Sequence, residues 1–192
     1  MDLNHLRQDN SIETTLGGHK LTLAATWGLF SPKAIDEGTE LLARYIEVRP
    51  TDNCLDLGCG YGPLGLMLAI SAPEGIIHLV DKDFIAVDYS NKNAAANKLS
   101  NATAFLSNGF DQIDPDQKYD IIVSNVPAKI GDELLILFLH DAYAHLNSGG
   151  KLYVVTISGL KEYFKRRMNE VFGNYDKLKQ SKTYTAAVSI KQ

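Results

Sequence analysis

The chain has few of the residues that staple a fold or ligate a metal. Cys54 and Cys59 are its only cysteines, and no nearby histidine joins them. No four-ligand zinc set can be assembled, and no metal is expected. Both thiols lie in or beside what reads below as a buried strand, so neither is expected to bridge the other, consistent with a reducing compartment. Long hydrophobic runs are also missing, since none approaches the roughly 18 apolar residues of a membrane-spanning helix. The opening residues Met1-Asp2-Leu3-Asn4-His5-Leu6-Arg7 lack the charged-then-apolar pattern of a secretory signal. The expectation is a soluble cytoplasmic protein. Internal repeats and low-complexity tracts are absent too. What is present is a globular composition, 45% hydrophobic and 22% charged over 192 residues, enough for one well-filled core and short for two.

The net charge of −4 hides an asymmetry. Residues 151–192 hold nine of the 19 Lys and Arg but only three of the 23 Asp and Glu. A basic face meeting phosphates gives this count, and so does a solvated surface helix; both readings stay open.

Along the chain, residues 12–16 and 20–24 flank Gly17-Gly18-His19, the signature of a short hairpin. It is expected to form an N-terminal appendage, residues 1–27, ahead of a single domain, residues 28–192. Ser31-Pro32 predicts a helix N-cap and first turn, with Ile35, Leu41, Leu42, Tyr45 and Ile46 near helical spacing until Pro50. Then a rhythm sets in: strand 54–57, glycine loop 58–62, helix 63–72, strand 76–81, helix 84–99, strand 102–106, strand 119–124, helix 132–146, strand 151–157 and helix 160–172. Two last strands, 174–179 and 183–191, are separated by too few residues for a parallel crossover and must be antiparallel to each other. The expected architecture is a doubly wound, Rossmann-like α/β fold: seven strands, mostly parallel with one reversed near the C-terminus, and helices on both faces.

The segment Leu55-Asp56-Leu57-Gly58-Cys59-Gly60-Tyr61-Gly62-Pro63 carries the most chemistry. An apolar strand runs straight into closely spaced glycines and then a helix N-terminus, which lets the backbone approach a ligand and presents unpaired N–H groups to it. A nucleotide-derived cofactor suits this place. Gly60-x-Gly62-x-x-Gly65 also matches the dinucleotide fingerprint, so a nicotinamide oxidoreductase stays open here. Asp81, 19 residues beyond Gly62 at the end of the next strand, can accept both hydroxyls of a ribose in either case. Asp83 is read as the cap of the following helix. Farther along, Val123-Ser124-Asn125-Val126-Pro127-Ala128 ends a strand at the same carboxyl edge. Asn125 and a proline-stiffened main chain can hold two acceptors for the hydrogens of an amine, or can merely shape a turn. His78 is read as structural within a strand, and no histidine is assigned to catalysis.

The set Asp56-Leu57-Gly58-Cys59-Gly60-x-Gly62, Asp81, Ser107-Asn108-Gly109-Phe110 and Asn125-Val126-Pro127 resembles class I S-adenosylmethionine-dependent methyltransferases, specifically the small-domain group containing ribosomal RNA guanine-N2 methyltransferases. Residues 28–39 resemble that group's lead-in, and the likeness runs from about Gly28 to the end. It implies that Gly58, Cys59, Gly60 and Gly62 line the methionine portion of S-adenosylmethionine, with Asp56 assisting its amino group. Asp81 would bind ribose, and Lys82 would flank adenine. Asn108, Gly109 and Phe110 would contact the adenine edge and face, and Asn125 and Pro127 would hold the acceptor, a guanine exocyclic amine of ribosomal RNA. The pattern Asn-Pro-Pro-aromatic of that group is here Asn125-Val126-Pro127-Ala128, without the ring that stacks on a flipped base. Phe30 or Tyr61 could stack instead, although packing is the commoner use of such residues. The missing ring also favours a protein or small molecule as the alternative acceptor, and a non-catalytic cofactor-binding module is a further alternative. No metal and no covalent enzyme intermediate are needed. The helix around Lys161, Lys165, Arg166 and Arg167 could meet RNA phosphates, while Tyr163, Phe164 and Met168 would pack it onto the sheet.

Overall fold

The structure, a computed structural model, describes residue 3 and residues 7–128 and 131–192. Alternation dictates its central element. In β3 (Cys54–Leu57) all four residues are buried, as expected of a strand covered on both faces. It pairs in parallel with β4 (Ile77–Asp81) and β6 (Tyr119–Asn125); β5 (Ala102–Leu106) flanks β4, and β7 (Leu146–Ile157) flanks β6. β9 (Tyr184–Ile190) runs antiparallel to β7 and to the edge strand β8 (Asp176–Gln180). The order is β5-β4-β3-β6-β7-β9-β8, and β9 is the one reversed strand. The chain leaves β3 toward β4 on one side and later returns to place β6 on the other. A crevice therefore opens at the carboxyl ends of β3 and β6, where open α/β sheets bind ligands.

Strand residues alternate between two cores. Cys54, Ile121, Val123, Tyr153 and Val155 face one, with α2 (Pro63–Ser71), α3 (Phe84–Ala96) and Leu42 of α1 (Glu37–Ala43). Leu55, Ile122, Leu152 and Val154 face the other, with α4 (Asp132–His145) and α5 (Lys161–Phe172). On α5, Phe164, Met168 and Phe172 are buried, and Arg167 forms a bidentate pair with Asp132 of α4, Nε donating to Oδ1 at 3.1 Å and Nη2 to Oδ2 at 2.6 Å. That guanidinium clamps two helices together and is spent there.

The hairpin β1 (Asn10–Leu16) and β2 (His19–Ala25) closes through Gly17 and Gly18, both at positive φ. Ile12, Leu16, Leu21, Leu23 and Ala25 join the first core. Asn93 of α3 binds it as a strand would: Ala24 N donates to Asn93 Oδ1 (2.7 Å), and Asn93 Nδ2 donates to Ala24 O (2.9 Å). Residues 1–2 and 4–6 of the segment read as an appendage lie outside the described residues.

One sequence expectation is corrected. The first helix starts at Glu37, not at Pro32, and ends at Ala43, well before Pro50. Ser31 sits at φ +46°, and its hydroxyl donates to Ala34 O (2.7 Å), which winds residues 31–34 into a turn. The cap is Asp36, whose Oδ2 accepts from Gly38 N and Thr39 N. Asp83 caps α3 as expected, accepting from Ile85 N at 2.8 Å.

Candidate active site

The glycine loop is built to stay open. Gly58, Gly60 and Gly62 all have positive φ, and a Cβ placed on Gly58 or Gly60 would meet nothing within 4 Å. The space beside these two residues is a cradle that any side chain would begin to fill. Its floor is fixed by Gly58 N and Cys59 N, both donating to Val80 O at 2.9 and 3.0 Å, and by Ser90 Oγ donating to Gly60 O at 2.9 Å. Tyr61 is buried, and its hydroxyl donates to Ser31 O at 3.1 Å, bringing the loop against residues 30–34. That ring packs; it is not presented to a ligand. The Cys59 thiol is pushed up by burial and then by Asp56, which keeps it protonated. Both cysteines are free and buried.

Asp56 is buried in mid-strand, and its Oδ2 accepts from Gly65 N (2.7 Å). It thus supplies the cap that α2 lacks, since Gly62 has no side chain. Burial first, partly offset by the Gly65 bond and reinforced by Asp81, pushes its carboxyl up to about 7. A proton held more tightly in the fold than in the unfolded chain stabilises the fold at low pH. The contribution is complete below the ordinary value of 3.8 and disappears as pH rises through about 7. Between pH 5 and 7.5 the native chain should lose about 2 to 3 kcal/mol of unfolding free energy from this group. Urea melts of native and Asp56→Asn protein at both pH values check this. An equal pH dependence in the two would contradict it.

Asp81 ends β4, and each of its oxygens already holds a backbone N–H: Oδ2 that of Gly60 (2.9 Å) and Oδ1 that of Asp83 (3.0 Å). Each oxygen keeps a second lone pair, so the carboxylate can grip two hydroxyls while anchoring the loop. Lys82 is exposed beside it. The exposed apolar side chains of Phe84, Ile85 and, across the ladder from Asp81, Leu106 surround the same strand tips. Ser107 N donates to Asp81 O, and Ser107 Oγ donates to Gly109 O at 2.7 Å, which turns Asn108 and Gly109 outward. Phe110 is used differently from the expectation. Its ring is buried in the second core and stacked on His145 at 5.0 Å, so it is not a free face for a base. His78 is structural as read, its Nδ1 lying 2.8 Å from the Tyr119 hydroxyl.

Asn125 ends β6. Both hydrogens of its amide are committed, one to Asp36 Oδ2 (2.8 Å) and one to Thr39 Oγ1 (3.0 Å). The amide therefore cannot flip, and Oδ1 is the atom left to accept. Val126 explains the departure from two prolines: its N–H donates to Val155 O of β7 (2.9 Å), a bond that proline cannot make. Ser124 Oγ ties the same strand end to Leu57 O at 2.8 Å. Pro127 and Ala128 are exposed beyond it.

The structure thus gathers Asp56, the glycine loop, Asp81, Lys82, Asn108 and Asn125 along the tips of four adjacent strands, β5-β4-β3-β6. Sequence reasoning missed Asp36, Thr39 and Tyr184, whose hydroxyl donates to Asp36 Oδ1 at 2.8 Å. Among the described residues no group of acidic, His or Cys side chains could hold a metal, and no helix is long and apolar enough to cross a membrane.

Residues 20–187 match the methyltransferase small domain family. The Bacillus subtilis protein YbxB, of uncharacterised function, is 34% identical over 135 residues, 70% of this chain and 67% of its own length. Ribosomal RNA small subunit methyltransferase C of Erwinia tasmaniensis is 32% identical over 177 residues, 88% of this chain and 50% of its own. Among solved structures, the Thermus thermophilus 16S rRNA N2 G1207 methyltransferase, in complex with AdoMet and guanosine, superposes with a TM-score of 0.86 at 28% identity, covering 95% of this chain and 50% of that one. The chain spans about half the length of these ribosomal RNA methyltransferases.

Proposed function

Because the chain belongs to the methyltransferase small domain family, we propose that it transfers a methyl group from S-adenosylmethionine to the exocyclic amine of a guanine in ribosomal RNA. The observation that carries this reading is the locked amide of Asn125 at the strand tip beside an open glycine cradle. S-Adenosylmethionine supplies an activated methyl on a sulfonium. The protein has only to align an amine lone pair with it.

The residues divide the work by position. Gly58 and Gly60 leave room for the methionine portion, buried Cys59 and Gly62 shape the loop behind them, and Asp56 assists the amino group from the strand below. Asp81 takes the ribose hydroxyls; Lys82, Asn108 and Gly109, with the exposed rings and chains of Phe84, Ile85 and Leu106, frame the adenine. Asn125 Oδ1 accepts one hydrogen of the acceptor amine and the rigid main chain at residues 126–127 the other, which turns the lone pair toward the methyl. An amine sheds its proton after attack, so no buried base is required. With Ala128 in place of a ring, stacking falls to Phe30, 67% exposed and next to the turn that Tyr61 ties to the glycine loop. Trp27, 64% exposed, stands on the same segment.

The RNA backbone would run over the basic tail, where Lys161, Lys165 and Lys177 line a shallow depression of about 200 Å³ with Glu162 and Tyr175. This chemistry belongs to residues 28–192, with the hairpin of segment 1–27 buttressing α2 and α3, and its place is the cytoplasm. The experiment is methyl labelling of the ribosomal RNA, protein and metabolite fractions of cells lacking the chain, followed by nucleoside analysis of the RNA. Label in N2-methylguanosine is expected. Label only in protein or metabolite fractions would favour the other acceptors, to which Ala128 points.

A further inference from the structure

Asn125 is useful only in one of its two amide orientations, and the partners that select it come from elsewhere in the chain. Asp36 lies just ahead of α1, Thr39 in its first turn, and Tyr184 at the start of β9, 148 residues from Asp36. Asp36 Oδ2 takes three donors: Gly38 N at 2.9 Å, Thr39 N at 3.2 Å and Asn125 Nδ2 at 2.8 Å. Its Oδ1 takes the Tyr184 hydroxyl. The cluster leaves no slack. A Cβ on Gly38 would come within 2.8 Å of both Asp36 Oδ2 and the Tyr184 ring. Burial, with Asp36 beside it, pushes the Tyr184 phenol up to about 12, so near neutral pH it is the donor of its bond.

We infer that Asp36, held by Tyr184 and assisted by Thr39, is the positioning residue of the transfer step: it locks the Asn125 amide with Oδ1 free and places a negative charge one hydrogen bond behind it. The inference rests on Asn125 holding the acceptor amine. As the methyl leaves the sulfonium, positive charge moves onto the amine nitrogen. A carboxylate accepting from Nδ2 polarises the amide, making Oδ1 a stronger acceptor for hydrogens that grow more positive. Because the charge is greater in the transition state than in the bound substrate, the effect falls on kcat and not on KM. The capping of α1 by Asp36 is a separate, structural duty, and an asparagine can perform it.

Kinetics of native, Asp36→Asn, Tyr184→Phe, Asn125→Ala and Asp36→Asn/Asn125→Ala proteins test the inference, with labelled S-adenosylmethionine and ribosomal RNA from cells lacking the chain. Asp36→Asn should lower kcat at least about 10-fold, with KM for S-adenosylmethionine within about twofold of native, and Tyr184→Phe should show the same split more weakly. In the Asn125→Ala background the Asp36→Asn effect should vanish, since both act through one amide. An unchanged kcat in both single variants, or an equal loss with and without Asn125, would overturn the inference. Asn125→Ala transferring as fast as native would instead show that the acceptor reading had failed. A substrate-free arm uses NMR of the Asn125 side-chain amide, assigned by its loss in Asn125→Ala. Two separated, slowly exchanging protons that shift in Asp36→Asn are expected; averaged, fast-exchanging protons in the native chain would overturn the lock.

Discussion

The Asn125→Ala variant is expected to transfer methyl groups about 100- to 1000-fold more slowly than native protein, with S-adenosylhomocysteine affinity unchanged within about twofold. The separation follows from placement. Asn125 ends β6, on the far side of β3 from Asp81, and its amide touches Asp36 and Thr39, not the glycine loop. Truncation removes an acceptor that is needed when the amine becomes cationic. It leaves Ser124 Oγ on Leu57 O and Val126 N on Val155 O, so the strand end stays pinned. It also frees one lone pair of Asp36 and the Thr39 hydroxyl, both of which water can satisfy in a half-open crevice. Single-turnover transfer measures the rate and calorimetry the affinity. A proportional loss of both would mean that the side chain supports the cofactor site, not the acceptor.

What could be read in the sequence and what could not divide along a physical line. Strand periodicity is local, so residues 54–57, 119–124 and 151–157 announced a doubly covered sheet, and the short link before residue 183 forced a reversal. The glycine loop and Asp81 were legible for the same reason: each is a short-range pattern beside a strand end. Helix starts were harder. Ser31-Pro32 looks like a cap and first turn, yet Ser31 closes a turn on Ala34, and the helix waits for a carboxylate at Asp36. Asp36 lay within the segment that resembles the family lead-in, but nothing local shows that its oxygens reach Asn125 and Tyr184, 89 and 148 residues away. Phe110 misled for a related reason. Asn108 and Gly109 just before it are exposed, while its ring turns into a core closed by His145. Val126 shows the limit of pattern matching, because its N–H serves β7 where the family pattern has an imino nitrogen with nothing to donate.

The Asp81→Ala variant carries the other large effect: S-adenosylhomocysteine should bind at least about 100-fold more weakly than to native protein. Two charge-assisted bonds to ribose hydroxyls are worth about 1.5 to 3 kcal/mol each, and about 1.4 kcal/mol corresponds to tenfold in affinity. The same carboxylate also holds Gly60 N and Asp83 N, so its removal loosens the cradle as well as the ribose grip. Asp81→Asn separates these contributions, because a carbonyl oxygen can keep one backbone bond while the charge is lost. Its affinity should fall between those of the native and Asp81→Ala proteins. Equal binding by native and Asp81→Ala would remove Asp81 from the site.

The most direct test of the whole account is the native arm of that series, calorimetric titration with S-adenosylhomocysteine and, separately, with NAD. Saturable binding of S-adenosylhomocysteine at about micromolar concentration, with no heat from NAD, is the expected result. Micromolar binding of NAD without S-adenosylhomocysteine would contradict it.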